Sequence, residues 1–66
     1  MSTEGVIKFY YRNWKGEKSV RQVKPSVEIW WGHTEYHKVD QWLMRAYDLE
    51  KGDYRDFAMR DIERFL

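Results

Sequence analysis

The sequence lacks several features that would otherwise point to a compartment or a cross-linked core. Cysteine is absent from the 66 residues, which excludes disulfide bonds and cysteine-ligated zinc sites. No apolar run approaches the roughly 18 residues of a membrane-spanning helix, and residues 1–5 show no secretory signal pattern. We therefore expect a cytoplasmic protein with no membrane association and a disordered N-terminus over residues 1–5.

Motifs for catalysis are also missing. No glycine-rich phosphate loop is present, and no serine stands in a pattern that would place it beside a histidine and a carboxylate. Four potential metal ligands lie close together in one polar segment: His33, Glu35, His37 and Asp40. Without cysteine or a second histidine pair, hydrogen bonds that organise a loop are the favoured role for them. We predict no enzyme activity, no cofactor and no metal.

Aromatic residues and an uneven charge distribution are the positive features. Four Trp, five Tyr and three Phe make up 18% of the chain, enough for a few large side chains to close a small core. Residues 1–26 carry six Lys/Arg against two Glu, whereas residues 27–66 carry six Lys/Arg against nine Asp/Glu. A core of this size usually gives no more than about 3–5 kcal/mol of net stability, and small domains often supplement it with a partner chain.

The hydrophobic pattern predicts β-structure. In the first segment Ile7, Phe9 and Tyr11 alternate with Lys8, Tyr10 and Arg12, the period of a half-buried strand. By similar patterns and turn signals we predict strands over residues 6–14, 18–24, 26–31, 42–47 and 54–59, and a polar loop over residues 33–41. Met59, Ile62 and Leu66 have helical spacing. The predicted fold is mostly β, a small five-stranded antiparallel barrel with a short C-terminal helix, in one domain over residues 6–66.

Several short motifs follow one another along the chain in a recognisable order. They are an aromatic strand, a Lys-Gly-Glu turn (residues 15–17), an Arg-x-Val-x-Pro strand end (residues 21–25), the Trp-Leu-Met-Arg-Ala-Tyr-Asp segment (residues 42–48) and Arg-x-Phe (residues 55–57). Their order and spacing resemble those of the WYL domain family. The resemblance covers residues 6–65, and the stretch around residues 31–43 resembles a short single-domain subgroup from bacteria and phages. It implies an Sm-like barrel that senses oligonucleotides, single strands or nucleotide-type ligands in a regulatory role.

The chain departs from the family pattern at several positions. Leu43 and Met44 replace the name-giving Tyr and Leu, and Ala58 and Asp61 stand where the family has arginines. Arg21 and Arg55 stand at matching positions, so the resemblance implies a ligand surface that retains only part of its usual cations.

A basic and aromatic patch is the predicted binding site. Lys8, Tyr10 and Arg12 share one strand face, and Lys15 and Arg21 belong to the adjoining hairpin. Rings can stack on bases while Lys and Arg neutralise phosphates. Together with Arg55, these residues predict binding of single-stranded nucleic acid or a nucleotide, although a solvated sheet face has the same composition.

An interaction surface is the alternative. Trp30 and Trp31 are adjacent in a predicted strand and point to opposite faces, so one of them is expected to be exposed. An exposed Trp together with Tyr36 would suit a homo-oligomer or a protein partner. The alternative function is therefore a protein–protein interaction or oligomerisation module.

Overall fold

A computed structural model describes residues 5–66 and shows six short strands in that range. The strands are β1 (Ile7–Arg12), β2 (Lys18–Val23), β3 (Glu28–Gly32), β4 (Gln41–Asp48), β5 (Asp53–Ala58) and β6 (Ile62–Phe65). A 3-10 turn, Met59–Asp61, connects β5 to β6. The mostly-β prediction is confirmed, and the predicted loop lies between β3 and β4.

The strands form one curled antiparallel sheet, a half-barrel. β1 pairs with β2 on one side and β6 on the other, while β4 pairs with β3 and β5. A single pairing of Val23 with Asp48 joins the two groups of strands. Because residues 24–27 separate β2 from β3, the chain turns from one group into the other at this point.

The core lies inside this curl and is largely aromatic. Phe9 and Tyr11 of β1 meet Phe57 of β5 edge to face, with ring centroids 5.1 and 5.0 Å apart. Val23, Met44 and Ala46 complete the buried cluster. Edge-to-face contacts stabilise aromatic pairs beyond the area they bury, so a small number of rings closes the core.

The short C-terminal helix is not confirmed. The 3-10 turn and strand β6 occupy that segment, with Tyr11 opposite Ile62 and Phe9 opposite Phe65. The physical reason is that β6 satisfies the backbone groups of β1 on the edge that β2 leaves open, a pairing with a distant segment that the local spacing does not reveal. Met59 and Ile62 still pack on the core, so their spacing indicated burial and not helix.

Two further predictions concern the chain as a whole. Disorder was predicted for residues 1–5, of which 1–4 lie outside the described residues. Within residues 5–66, no helix has the length and apolar character required to cross a membrane.

Candidate ligand-binding cleft

The turn between β1 and β2 is organised by Asn13. Its side-chain Oδ1 accepts hydrogen bonds of 2.9 Å from the backbone N–H groups of Lys15 and Glu17, and Gly16 has a φ of +86° that favours glycine. This turn leaves the Trp14 side chain 58% exposed. The Lys15 ammonium lies 5.4 Å from the centroid of that indole ring.

The loop between β3 and β4 is organised by Thr34 and closed at its ends by His33 and Asp40. Thr34 Oγ1 accepts hydrogen bonds from the backbone N–H groups of Tyr36, at 3.2 Å, and His37, at 3.0 Å. His33 Nδ1 lies 2.8 Å from Asp40 Oδ1. The loop holds the Tyr36 ring 5.8 Å from that of Trp14, at an interplanar angle of 31°. Two segments far apart in sequence thus form one aromatic wall.

Arg21 lies behind this wall, on the core side of β2. It is opposite Phe9 in the sheet, and its side chain is only 11% exposed. Its Nη1 lies 3.5 Å from Oδ2 of the fully buried Asp48, which is a long ion pair. Among residues 5–66, the buried Nε of Arg21 has no hydrogen-bond partner. Oδ2 of Asp48 also has no hydrogen-bond partner among the described residues, so the pair is held by charge and not by a hydrogen bond of ordinary length.

Arg55 approaches the same region from β5. It is opposite Ala46 in the sheet and half-buried, and within the described part of the chain it makes no ion pair. Both arginines act electrostatically on Tyr11. Burial raises the pKa of the Tyr11 hydroxyl, while the Ala58 amide and the two guanidinium groups oppose that shift. Both arginines and Tyr11 also line one cavity.

These groups surround a cavity of about 320 Å³, which we call the cleft. Its lining includes Tyr11, Trp14, Arg21, Tyr36, Tyr54 and Arg55. Beside it, a hollow of about 470 Å³ adds Lys15 and Lys51 while sharing both arginines and the aromatic wall. The cleft has the size of ordinary small-molecule sites, which begin at about 300 Å³. Glu35 and Asp56 also border the cleft, and Asp56 Oδ1 accepts a hydrogen bond from Trp30 Nε1. The two arginines and the exposed rings suit a ligand that has both an anionic and an aromatic part.

The structure divides the predicted patch between two faces. Arg21, Arg55 and Lys15 border the cleft or its adjoining hollow. Lys8, Tyr10 and Arg12 lie on the opposite phase of β1, across from Gln22, Val20 and Lys18.

Two of those outer residues have partners of their own. Arg12 Nη2 donates to Asp61 Oδ1 at 3.2 Å, and the Arg64 guanidinium lies 5.9 Å from the Tyr10 ring centroid. The single continuous patch expected from the sequence is therefore not formed.

The residues predicted for an interface also differ in their surroundings. Trp30 is half-buried, and its Nε1 donates to Asp56 Oδ1 at 3.0 Å. Trp31 is 57% exposed and meets Trp42 edge to face at 5.4 Å. Tyr36 is exposed but lies against Trp14. Of the three, Trp31 is the one on an outer surface away from the cleft.

Sequence reasoning missed Trp14, Tyr54 and Lys51 as site residues. Trp14 carried a local signal, since it follows the turn-forming Asn13 and precedes Lys15. No local signal links it to Tyr36. For metals, residues 5–66 contain no group of three or more His, Cys, Asp or Glu that could hold an ion.

In comparisons with known proteins, no protein-family model matched the chain, and neither a curated protein nor a solved structure was similar to it.

Proposed function

We propose that this protein is a non-catalytic binding module of the WYL type, built on an Sm-like barrel, that senses single-stranded nucleic acid or a nucleotide in the cytoplasm. The observation that carries the proposal is the convergence of Arg21 and Arg55 on one cleft beneath two exposed rings. These are the two arginines that the resemblance to the WYL family singles out.

The strand order is consistent with an Sm-like barrel. The first strand lies between the second and the last, and a 3-10 turn connects β5 to β6. The bend at residues 24–27 lets β2 and β3 behave as one long strand that contributes to both parts of the sheet. This arrangement supports the fold that the resemblance implies.

The chemistry of the cleft favours a phosphate attached to a base. A guanidinium forms planar, bidentate hydrogen bonds with phosphate oxygens, so Arg21 and Arg55 suit the phosphate. The Trp14 and Tyr36 rings are more than half exposed and available for stacking on a base. Lys15 and Lys51 at the adjoining hollow would contact neighbouring phosphates of a strand.

The test is the binding of a fluorescently labelled single-stranded oligonucleotide, measured by anisotropy over a range of salt concentrations. Affinity should fall as salt rises, because phosphate contacts release counterions from the strand. Arg55→Gln should weaken binding and reduce the slope of log affinity against log salt by roughly 0.7, the value for one single-strand phosphate contact. Arg55 is preferred to Arg21 for this substitution because Asp48 depends on Arg21 as its ion-pair partner.

The matched control is Arg64→Gln, which removes the same charge from β6, beside Tyr10 and outside the cleft lining. Trp14→Ala should also weaken binding, by about 1–3 kcal/mol if one base stacks there. Binding that is absent or independent of salt, or that falls equally in Arg55→Gln and Arg64→Gln, would refute the proposal.

A further inference from the structure

Strand β3 has one hydrogen-bonding neighbour. It pairs along its length with β4, and no other strand within residues 5–66 pairs with its second edge. Natural sheets usually protect such an edge with lysine, proline, a bulge or a covering segment, because exposed backbone groups attract another strand. In β3 itself, Glu28 is the sole charged residue, and proline is absent. The edge is therefore able to accept another strand.

The side chains next to this edge are large and apolar. Ile29 is 47% exposed and Trp31 is 57% exposed, and they lie on the same face of β3 because they are two residues apart. Trp42, at 54% exposed, extends this face onto β4 through its edge-to-face contact with Trp31. We call Ile29, Trp31 and Trp42 the edge face. Exposed large apolar groups that lie together indicate an association site.

The β3 edge is complementary to a second copy of itself. If two β3 strands pair antiparallel about a two-fold axis at Trp30, Ile29 of each copy lies opposite Trp31 of the other. Pairs of a β-branched and an aromatic residue stabilise antiparallel sheets when they are directly opposed. In the same register Glu28 lies opposite Gly32, so no like charges meet. The five residues of β3 therefore contain both members of every opposed pair, so the strand is complementary to a second copy of itself.

We propose that two copies of this chain associate through antiparallel pairing of their β3 edges, centred on Trp30. The two sheets then continue across the two-fold axis, and the edge faces of both copies join into one apolar surface. This association satisfies the free backbone groups of β3. It also adds apolar burial to a core of only eight buried hydrophobic residues in the described chain. It goes beyond the ligand site, whose lining includes no residue of β3.

The experiment measures molecular mass by sedimentation velocity over a range of protein concentrations. The wild-type chain should shift from the mass of one chain to that of two as its concentration rises. Ile29→Glu should lose the dimer, because the introduced carboxylate is placed against the Trp31 ring of the second copy, whose negative face repels an anion. Trp31→Lys should also lose it, because it places a charge opposite Ile29 and removes the large apolar partner. The control Val39→Glu introduces the same charge as Ile29→Glu at an exposed apolar residue of the β3–β4 loop and should leave the dimer intact.

Mixing the two variants tests the register. In a mixed pair the introduced lysine lies opposite the introduced glutamate on one side, and the native Ile29 and Trp31 meet on the other. Ile29→Glu and Trp31→Lys should therefore dimerise together while each remains monomeric alone, with circular dichroism confirming that both are folded. A wild-type chain that is monomeric at every concentration overturns the proposal. So do single variants that still dimerise, or folded variants that fail to dimerise when mixed.

Discussion

The Tyr11 hydroxyl accepts a hydrogen bond of 3.0 Å from the backbone N–H of Ala58, at a buried position. The bond connects β1 to the end of β5, although these two strands are not paired in the sheet. The Tyr11 ring also packs edge to face on Phe57. One side chain therefore fills the core and satisfies a backbone donor on the far side of it.

Tyr11→Phe should lower the free energy of unfolding by about 1–3 kcal/mol, because it leaves the Ala58 amide buried without an acceptor while keeping the ring. Urea denaturation followed by fluorescence measures the change. The matched control is Tyr10→Phe, the same substitution at a half-buried neighbour on the opposite face of β1. We expect that control to remain within about 0.5 kcal/mol of wild type. Equal losses in the two variants would contradict a specific role for the Tyr11 hydroxyl.

Stability should also depend on pH in the alkaline range. Burial raises the pKa of Tyr11 above its ordinary value of 10.0, so the folded state keeps this proton after the unfolded chain has lost it. The contribution of the protonated Tyr11 hydroxyl to the free energy of unfolding is complete below pH 10.0. It is lost as the pH rises through the folded-state pKa of Tyr11. The midpoint of urea unfolding should fall in that window by more in wild type than in Tyr11→Phe. An identical pH dependence of wild type and Tyr11→Phe would show that the titration of Tyr11 does not cause the loss of stability.

Gly32→Ala should destabilise the protein through Trp30. A Cβ atom at position 32 would lie 3.0 Å from Cε3 of the Trp30 ring and even closer to Cζ3, so the indole would have to move. That movement disturbs the hydrogen bond from Trp30 Nε1 to Asp56. Overpacking of this kind costs about 1–3 kcal/mol, measurable by urea denaturation.

A double-mutant cycle provides the control for Gly32→Ala. In a Trp30→Leu background the steric conflict is removed, so the added methyl group should cost much less than in wild type. A cost that is unchanged in this background would show that the effect of Gly32→Ala comes from the strand backbone and not from Trp30.

Most of the strands were predictable because their signals are local. The alternation of Ile7, Phe9 and Tyr11 and the turn residues Asn13 and Gly16 describe the first hairpin without reference to other parts of the chain. Strand β6 was missed because its partner is β1, at the other end of the described range. Spacing within the last residues carries no information about that neighbour.

Only part of the cleft was predictable, because its residues come from strands and loops that are distant in the sequence. In β2, Val20 is 46% exposed and Val23 is fully buried, so the two valines lie on opposite faces of the strand. Because each face carries one valine, the sequence does not show which face of β2 is directed toward the core. The sequence therefore identifies Arg21 as a candidate cation of the patch but does not show that Lys8 and Arg12 lie on the other face of the sheet. The contact of Trp14 with Tyr36 depends on two loops meeting in space, which no spacing in the sequence encodes.

The pairing of β1 with β6 has a consequence for the rate of folding. The backbone N–H of Leu66 donates to the carbonyl of Lys8 at 2.9 Å, so nearly all of the described chain lies between the two partners. Chains dominated by such distant pairings fold slowly for their size, because loop-closure entropy is lost before the contacts form. We expect folding in about milliseconds to seconds, the range of small β-barrels, with the β1–β2 and β4–β5 hairpins forming before β6 pairs with β1.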